Sequence, residues 1–149
     1  MGRVSGWRTA DIRRTAIYAS TGWTERGAKS IVAQHLIDGQ RAESVAEQYL
    51  SRQGLTFIER NFRARGGEID LVMRAKDTLV FVEVRFRAGT GYGSPAESVN
   101  AAKQKRLIRA AATYLSTRQV DPKLACRFDV VGVSSGDDIE WIEDAFEAN

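Results

Sequence analysis

The segment that most constrains this chain runs from Gly67 to Arg87. Two runs rich in Ile, Leu, Val and Phe, Glu68–Arg74 and Leu79–Arg87, flank the polar pair Lys76-Asp77. Runs of this kind on either side of a short polar turn read as a β-hairpin. With the turn at Lys76-Asp77, Arg74 faces Leu79, Val72 faces Phe81, Asp70 faces Glu83 and Glu68 faces Arg85. Side chains alternate across a strand. One hairpin face is then Ile69, Leu71, Met73, Val80, Val82 and Val84, expected core. The other gathers Glu68, Asp70, Glu83 and Arg85 at one end.

Two carboxylates placed opposite each other repel and weaken the strand pair. A cation between them removes that cost, and a hard divalent ion such as Mg²⁺ or Mn²⁺ favours carboxylate oxygens while keeping several waters. The plainer alternative is a solvent-facing hairpin with a Glu68–Arg85 ion pair. It accounts for those two residues and leaves Asp70 against Glu83 unexplained.

The rest of the pattern fits an α/β domain. Ala42, Val45, Ala46, Tyr49 and Leu50 recur at helical spacing, with Gly54 as the stop. Strands are expected at Thr56–Phe62, Glu68–Arg74 and Leu79–Arg87. A glycine-rich loop from Gly89 to Pro95 precedes a second helix from about Val99 to Ser116, with Leu107, Ala110, Ala111, Tyr114 and Leu115 as its apolar stripe. Short strands near Arg127–Val133 and Ile139–Ile142 follow. In the second helix Lys103 and Gln104 extend the inward face, while Lys105 and Arg109 point out. Glu43 lies at the edge of the first helix's buried stripe, where a surface charge is the ordinary reading.

The main boundary falls near Asp38. Residues 1–37 read as a basic N-terminal arm, partly flexible, and residues 38–149 as the folded domain. Within the arm, residues 1–26 lack apolar periodicity and resemble a flexible tail. Ala28, Ile31, Val32 and Leu36 have a weak helical spacing around His35, the single histidine.

The net charge of +3 conceals an asymmetry, because residues 128–149 carry acids and no lysine or arginine. Basic residues therefore concentrate upstream, where they form either a solvated surface or a face for a polyanion. Arg60, Arg63 and Arg65 cluster just before Gly66-Gly67 and suit phosphate contacts. Gln104 and Arg106 are further candidates for nucleic-acid contact. Cys126 is the only cysteine, which excludes an intrachain disulfide or a cysteine-based zinc site and suits a reducing cytoplasm. Cys126 shares the side of Phe128 and is expected to be buried. No run of about 18 apolar residues suggests a membrane span.

Several segments together carry a resemblance. They are Gly39-Gln40-Arg41-Ala42-Glu43, Glu59-Arg60-Asn61-Phe62-Arg63, Gly67-Glu68-Ile69-Asp70-Leu71 and Phe81-Val82-Glu83-Val84-Arg85. Lys103, Arg127-Phe128-Asp129-Val130 and Asp144-Ala145-Phe146 follow in order. In these the chain resembles the YraN-like family of uncharacterised bacterial proteins, related to archaeal Holliday junction resolvases. The resemblance implies a restriction-endonuclease-like core, a mixed central sheet flanked by helices. It also implies an acid–x–lysine nuclease motif with Asp70 and Glu83 as metal ligands and Glu43 as the helix-borne acid. One position departs: Arg85 stands where the motif has lysine, and arginine, unlike lysine, stays protonated.

The expectation is a Mg²⁺- or Mn²⁺-dependent nuclease-like hydrolase acting on DNA, branched or damaged DNA included. Asp70, Glu83, the Val84 carbonyl and Glu43 would hold metal. Arg85 or Lys103 would act on the nucleophile and the developing charge. A homodimer would suit a two-fold junction. The competing expectations are a nucleic-acid-binding module that has lost cleavage and a protein-interaction scaffold.

Overall fold

A computed structural model describes residues 25–89 and 93–148. The expected flexible tail, residues 1–26, lies outside the described residues except for residues 25 and 26, as do Thr90, Gly91 and Tyr92 of the glycine-rich loop. The chain divides into two compact units meeting between Asp38 and Gly39. In the first, the described residues are helical, with Ile31, Val32, Leu36 and Ile37 exposed.

Helix α1 spans Glu25–Arg52, so the weak spacing before Asp38 and the strong one after it belong to one helix. No proline interrupts that stretch, and an interior Gly39 costs only about 1 kcal/mol. Gly54, at φ +97, ends it as expected. Strands β1 (Thr56–Ala64), β2 (Gly67–Ala75) and β3 (Thr78–Arg87) follow. A 3-10 turn, Pro95–Ser98, leads into helix α2 (Ala101–Thr117), and β4 (Ala125–Ser134) and β5 (Ile139–Phe146) close the domain.

The five strands lie in sequence order, all pairs antiparallel except β3 with β4, which are joined through α2. The domain is thus α/β with a mixed sheet. Ala42, Ala46 and Leu50 of α1 pack with Leu71, Met73, Val80, Val82, Val131 and Val133 on one side. Leu107, Ala110, Ala111 and Tyr114 of α2 pack with Phe62, Val72, Leu79, Phe81, Phe128 and Val130 on the other. Both faces of the central strands are therefore core. Among the described residues no helix is long and apolar enough to cross a membrane.

The hairpin register matches expectation: Arg74 pairs with Leu79 and Val72 with Phe81. The expected apolar face needs one correction. Ile69 packs on the α2 side with Phe62, while Leu71 packs on the α1 side. Alternation slips between them, at Asp70. On the neighbouring strand Arg60 pairs with Leu71 and Phe62 with Ile69, and the intervening Asn61 has φ 54. That left-handed backbone breaks the pleat, which is why simple alternation misplaced Ile69.

Cys126 is also corrected: it is exposed. It lies near the start of β4, before the covered stretch that begins at Phe128.

Candidate functional site

The site begins where the β2–β3 ladder stops. Leu71–Val82 is its last backbone pair. One step on, the Val84 N–H donates to Asp70 Oδ2 at 2.8 Å. Asp70 thus takes over a backbone donor that a regular ladder would have used.

Glu83, beside it on β3, is only 3% exposed. Its Oε1 receives Lys103 Nζ at 3.2 Å and Arg85 Nη1 at 3.5 Å. Among the described residues its buried Oε2 accepts no hydrogen bond from a donor group. Burial, then the charge of Asp70, push the Glu83 carboxyl up to about 8, against the pull of Lys103 and Arg85. Burial likewise raises Asp70, opposed by the Val84 N–H and by Lys103. Like charges side by side in a buried place do not both ionise without a counter-charge.

Arg85 is held by more than Glu83. Its Nε donates to Ser98 Oγ at 3.0 Å and its Nη2 to the Ser98 carbonyl at 2.6 Å. Ser98 closes the 3-10 turn, with its hydroxyl on the Pro95 carbonyl at 2.5 Å. That turn lies tight over β4, since a Cβ at Gly132 would stand 2.5 Å from Pro95 Cγ. Arg85 is thereby fixed from both sides. The Glu68–Arg85 ion pair of the plainer alternative is not among the ion pairs of the described residues; Glu68 Oε2 lies 3.6 Å from Arg63 Nε.

Glu43 reaches the site from α1. It is half-buried, and its Oε2 accepts from Asn61 Nδ2 at 3.1 Å. Burial, then the charge of Asp70, raise it to about 7. The charge of Asp70 thus acts on both Glu43 and Glu83. Among the described residues, however, no three acidic, His or Cys side chains close into a metal cage. The donor set does fit a hard cation that retains waters: two adjacent carboxylates, one carrying an unsatisfied buried oxygen.

The structure brings together Asp70, Glu83, Arg85 and Lys103, with Glu43 alongside. The expected basic cluster is less uniform. Arg60 is bound to Glu47 and to Ser44 Oγ. Arg63 faces Glu68, and Arg65 is exposed. Gln104 Nε2 donates to the Val99 carbonyl at 3.0 Å, at the start of α2. Arg106 is half-exposed, and its carbonyl lies so close to Gly67 that only glycine fits there. Lys105 and Arg109 point to solvent as expected.

Ser98 and Asn61 escaped the sequence reading. Ser94-Pro95 was the available signal for the turn, since Ser caps and Pro opens short helical segments. Asn61 sat inside a recognised motif, yet nothing in strand alternation marked it.

The model of the uncharacterised protein family UPF0102 matches residues 42–133. A UPF0102 protein of Saccharophagus degradans is 48% identical over 118 residues, covering 79% of this chain and 99% of that relative. One from Cupriavidus necator is 55% identical over 111 residues, covering 73% and 82%. Another from Nitrosomonas europaea is 50% identical over 111 residues, covering 73% and 92%. Glu43, Asp70, Glu83, Arg85 and Lys103 all lie inside the span that the family model matches.

Proposed function

The chain belongs to the uncharacterised protein family UPF0102, the YraN family its motifs resemble, and from that premise we propose that it is a metal-dependent nuclease acting on DNA. The observation that carries this reading is the buried Asp70–Glu83 pair, two carboxylates side by side on neighbouring strands. Two buried like charges this close do not both ionise unless a counter-charge joins them. A fold retains such a pair most readily where function uses both carboxylates. The mixed sheet with a helix on each face is compatible with a restriction-endonuclease-like core.

In this reading Asp70 and Glu83 would hold Mg²⁺ or Mn²⁺, with Glu43 as the third acid of the centre. The ion would supply Lewis acidity at the scissile phosphate and acidify a bound water. Asp70 is kept in orientation by the Val84 N–H. Lys103, largely buried against Glu83, places a positive charge beside the position of the phosphate, where pre-set charge is worth most. Arg85, anchored on Ser98, fixes the wall of the site and its local positive potential. Exposed Arg63 and Arg65 supply sequence-independent phosphate contacts.

The test is cleavage of linear, single-stranded and four-way DNA by the purified protein with Mg²⁺ or Mn²⁺, beside Asp70→Asn. Metal-dependent cleavage lost in the variant supports the reading. Arg85 favours a second reading, a module that binds DNA without cutting, because arginine cannot share the proton-transfer chemistry of lysine. That reading expects DNA binding and no cleavage by either protein.

A further inference from the structure

We propose that Asn61 is a positioning residue of this centre, holding the Glu43 carboxylate toward Asp70. The inference rests on the metal-centre reading above and extends it to a residue outside the acid motif.

Three observations converge. First, Asn61 adopts φ 54, a left-handed backbone inside a strand. Asparagine is among the few residues other than glycine that enter this region readily. An outlier of this kind in a strand, at a cost of roughly 1–3 kcal/mol, invites a functional explanation.

Second, the outlier redirects a side chain. Arg60 reaches α1 at Ser44 and Glu47. Under strict alternation its neighbour Asn61 would point to the opposite face. Instead Asn61 Nδ2 also meets α1, donating to Glu43 Oε2. The backbone turn is what delivers two successive side chains to one helix. By the register of Arg60 with Leu71 and Phe62 with Ile69, Asn61 stands across from Asp70.

Third, the donor has suitable chemistry. A neutral amide orients a carboxylate without cancelling its charge, as lysine or arginine would. It leaves the second Glu43 oxygen available. Groups that orient metal ligands in this way typically change metal affinity by 10–100-fold when removed.

The experiment measures Mn²⁺ affinity directly, from the paramagnetic resonance of free Mn²⁺ titrated with protein, so it does not depend on turnover. The proteins are wild type, Asn61→Gly, Glu43→Ala, the double variant and Asp70→Asn. Glycine enters the left-handed region freely, so Asn61→Gly permits the backbone turn, and circular dichroism of the metal-free protein checks that the fold is retained. The expected result is a loss of roughly ten-fold in affinity for Asn61→Gly, a comparable or larger loss for Glu43→Ala, and no further loss in the double variant. Affinity unchanged in Asn61→Gly but lowered in Asp70→Asn overturns the role of Asn61 and leaves the metal centre standing. Losses that simply add in the double variant overturn it too, because Asn61 would then act elsewhere than through Glu43. A wild-type protein that binds no Mn²⁺ sinks the centre and this inference together.

Discussion

Lys103 Nζ, on helix α2, lies 3.2 Å from Glu83 Oε1, on strand β3, and the two side chains are 15% and 3% exposed. A helix therefore delivers a nearly buried positive charge to the same carboxylate that a divalent ion would use. In the proposed centre Lys103 and the ion would compete electrostatically for Glu83, while both would favour an approaching phosphate. Lys103→Ala should thus bind Mn²⁺ at least as tightly as wild type and yet cleave DNA on the order of 10²-fold more slowly. Titration of Mn²⁺ and a cleavage time course separate the two effects. Weaker Mn²⁺ binding in the variant would mean that Lys103 merely supports the fold of the site, and undiminished cleavage would remove it from the mechanism.

Stability of the metal-free protein should fall as pH rises. Glu83 is raised from 4.5 to about 8 and Glu43 from 4.5 to about 7, each chiefly by burial and then by Asp70. Between the ordinary value and the raised one, the folded state holds protons that the unfolded state has released. The unfolded state is then favoured with each step up in pH. The loss accrues from about 4.5 through about 8 and levels off above that. Melting temperatures across this window, in chelator, should decline for wild type and decline less for Glu83→Gln. Added Mn²⁺ should restore stability most at the upper end, by mass action on the folded state. A flat profile in chelator would show that the pair is not strained.

The hairpin was legible because its register depends on two local facts, the Lys76-Asp77 turn and the run of alternating apolar residues. Those place Asp70 near Glu83 before any tertiary contact is known. Lys103 was legible for the same reason: helical spacing from Leu107 sets its direction. Ile69 was misplaced because the slip at Asp70 originates on another strand, in the backbone of Asn61, and one strand's pattern does not carry its neighbour's irregularity. Cys126 was misplaced because alternation gives the side of a sheet but not where its cover ends. Ser98 lay hidden in a loop whose conformation is fixed by Pro95 against Gly132, a contact between distant segments.

That contact yields a test of how Arg85 is held. Gly132→Ala would set a Cβ 2.5 Å from Pro95 Cγ. The turn must shift, and overpacking of this kind costs about 1–3 kcal/mol. Ser98 moves with the turn, so the two Arg85 bonds to Ser98 are disturbed as well. Arg85→Lys removes the forked geometry directly and should cost about as much as a hydrogen bond to a charged group, roughly 1.5–3 kcal/mol. Chemical denaturation should therefore find both variants destabilised. The double variant should lose less than the sum, because the two share one contact. Full additivity would show that the turn and Arg85 are independent.

Asp129 belongs to a motif full of charge, yet its surroundings assign it to the fold. It is 1% exposed on β4. Its Oδ1 accepts the Asp144 N–H at 3.0 Å and its Oδ2 the Trp141 indole N–H at 2.9 Å. Arg127 pairs with it at 3.0 Å and reaches on to Glu143 at 2.9 Å. These bonds sit at the register shift between β4 and β5, and Asp144 has φ 50. One carboxylate thus occupies backbone and side-chain donors that an irregular strand pair leaves over. Asp129→Ala strands those donors and the Arg127 charge together and should cost about 3–5 kcal/mol. Asp129→Asn keeps the shape and one acceptor oxygen but turns an amide toward donors, so a loss of about 1–3 kcal/mol is expected. Because Asp129 makes no contact with Asp70 or Glu83 among these bonds, folded Asp129→Asn should keep wild-type Mn²⁺ affinity at a temperature well below its melting point. Denaturation curves and a Mn²⁺ titration on that one variant decide the matter: an intact fold with lost Mn²⁺ binding would move Asp129 into the metal centre.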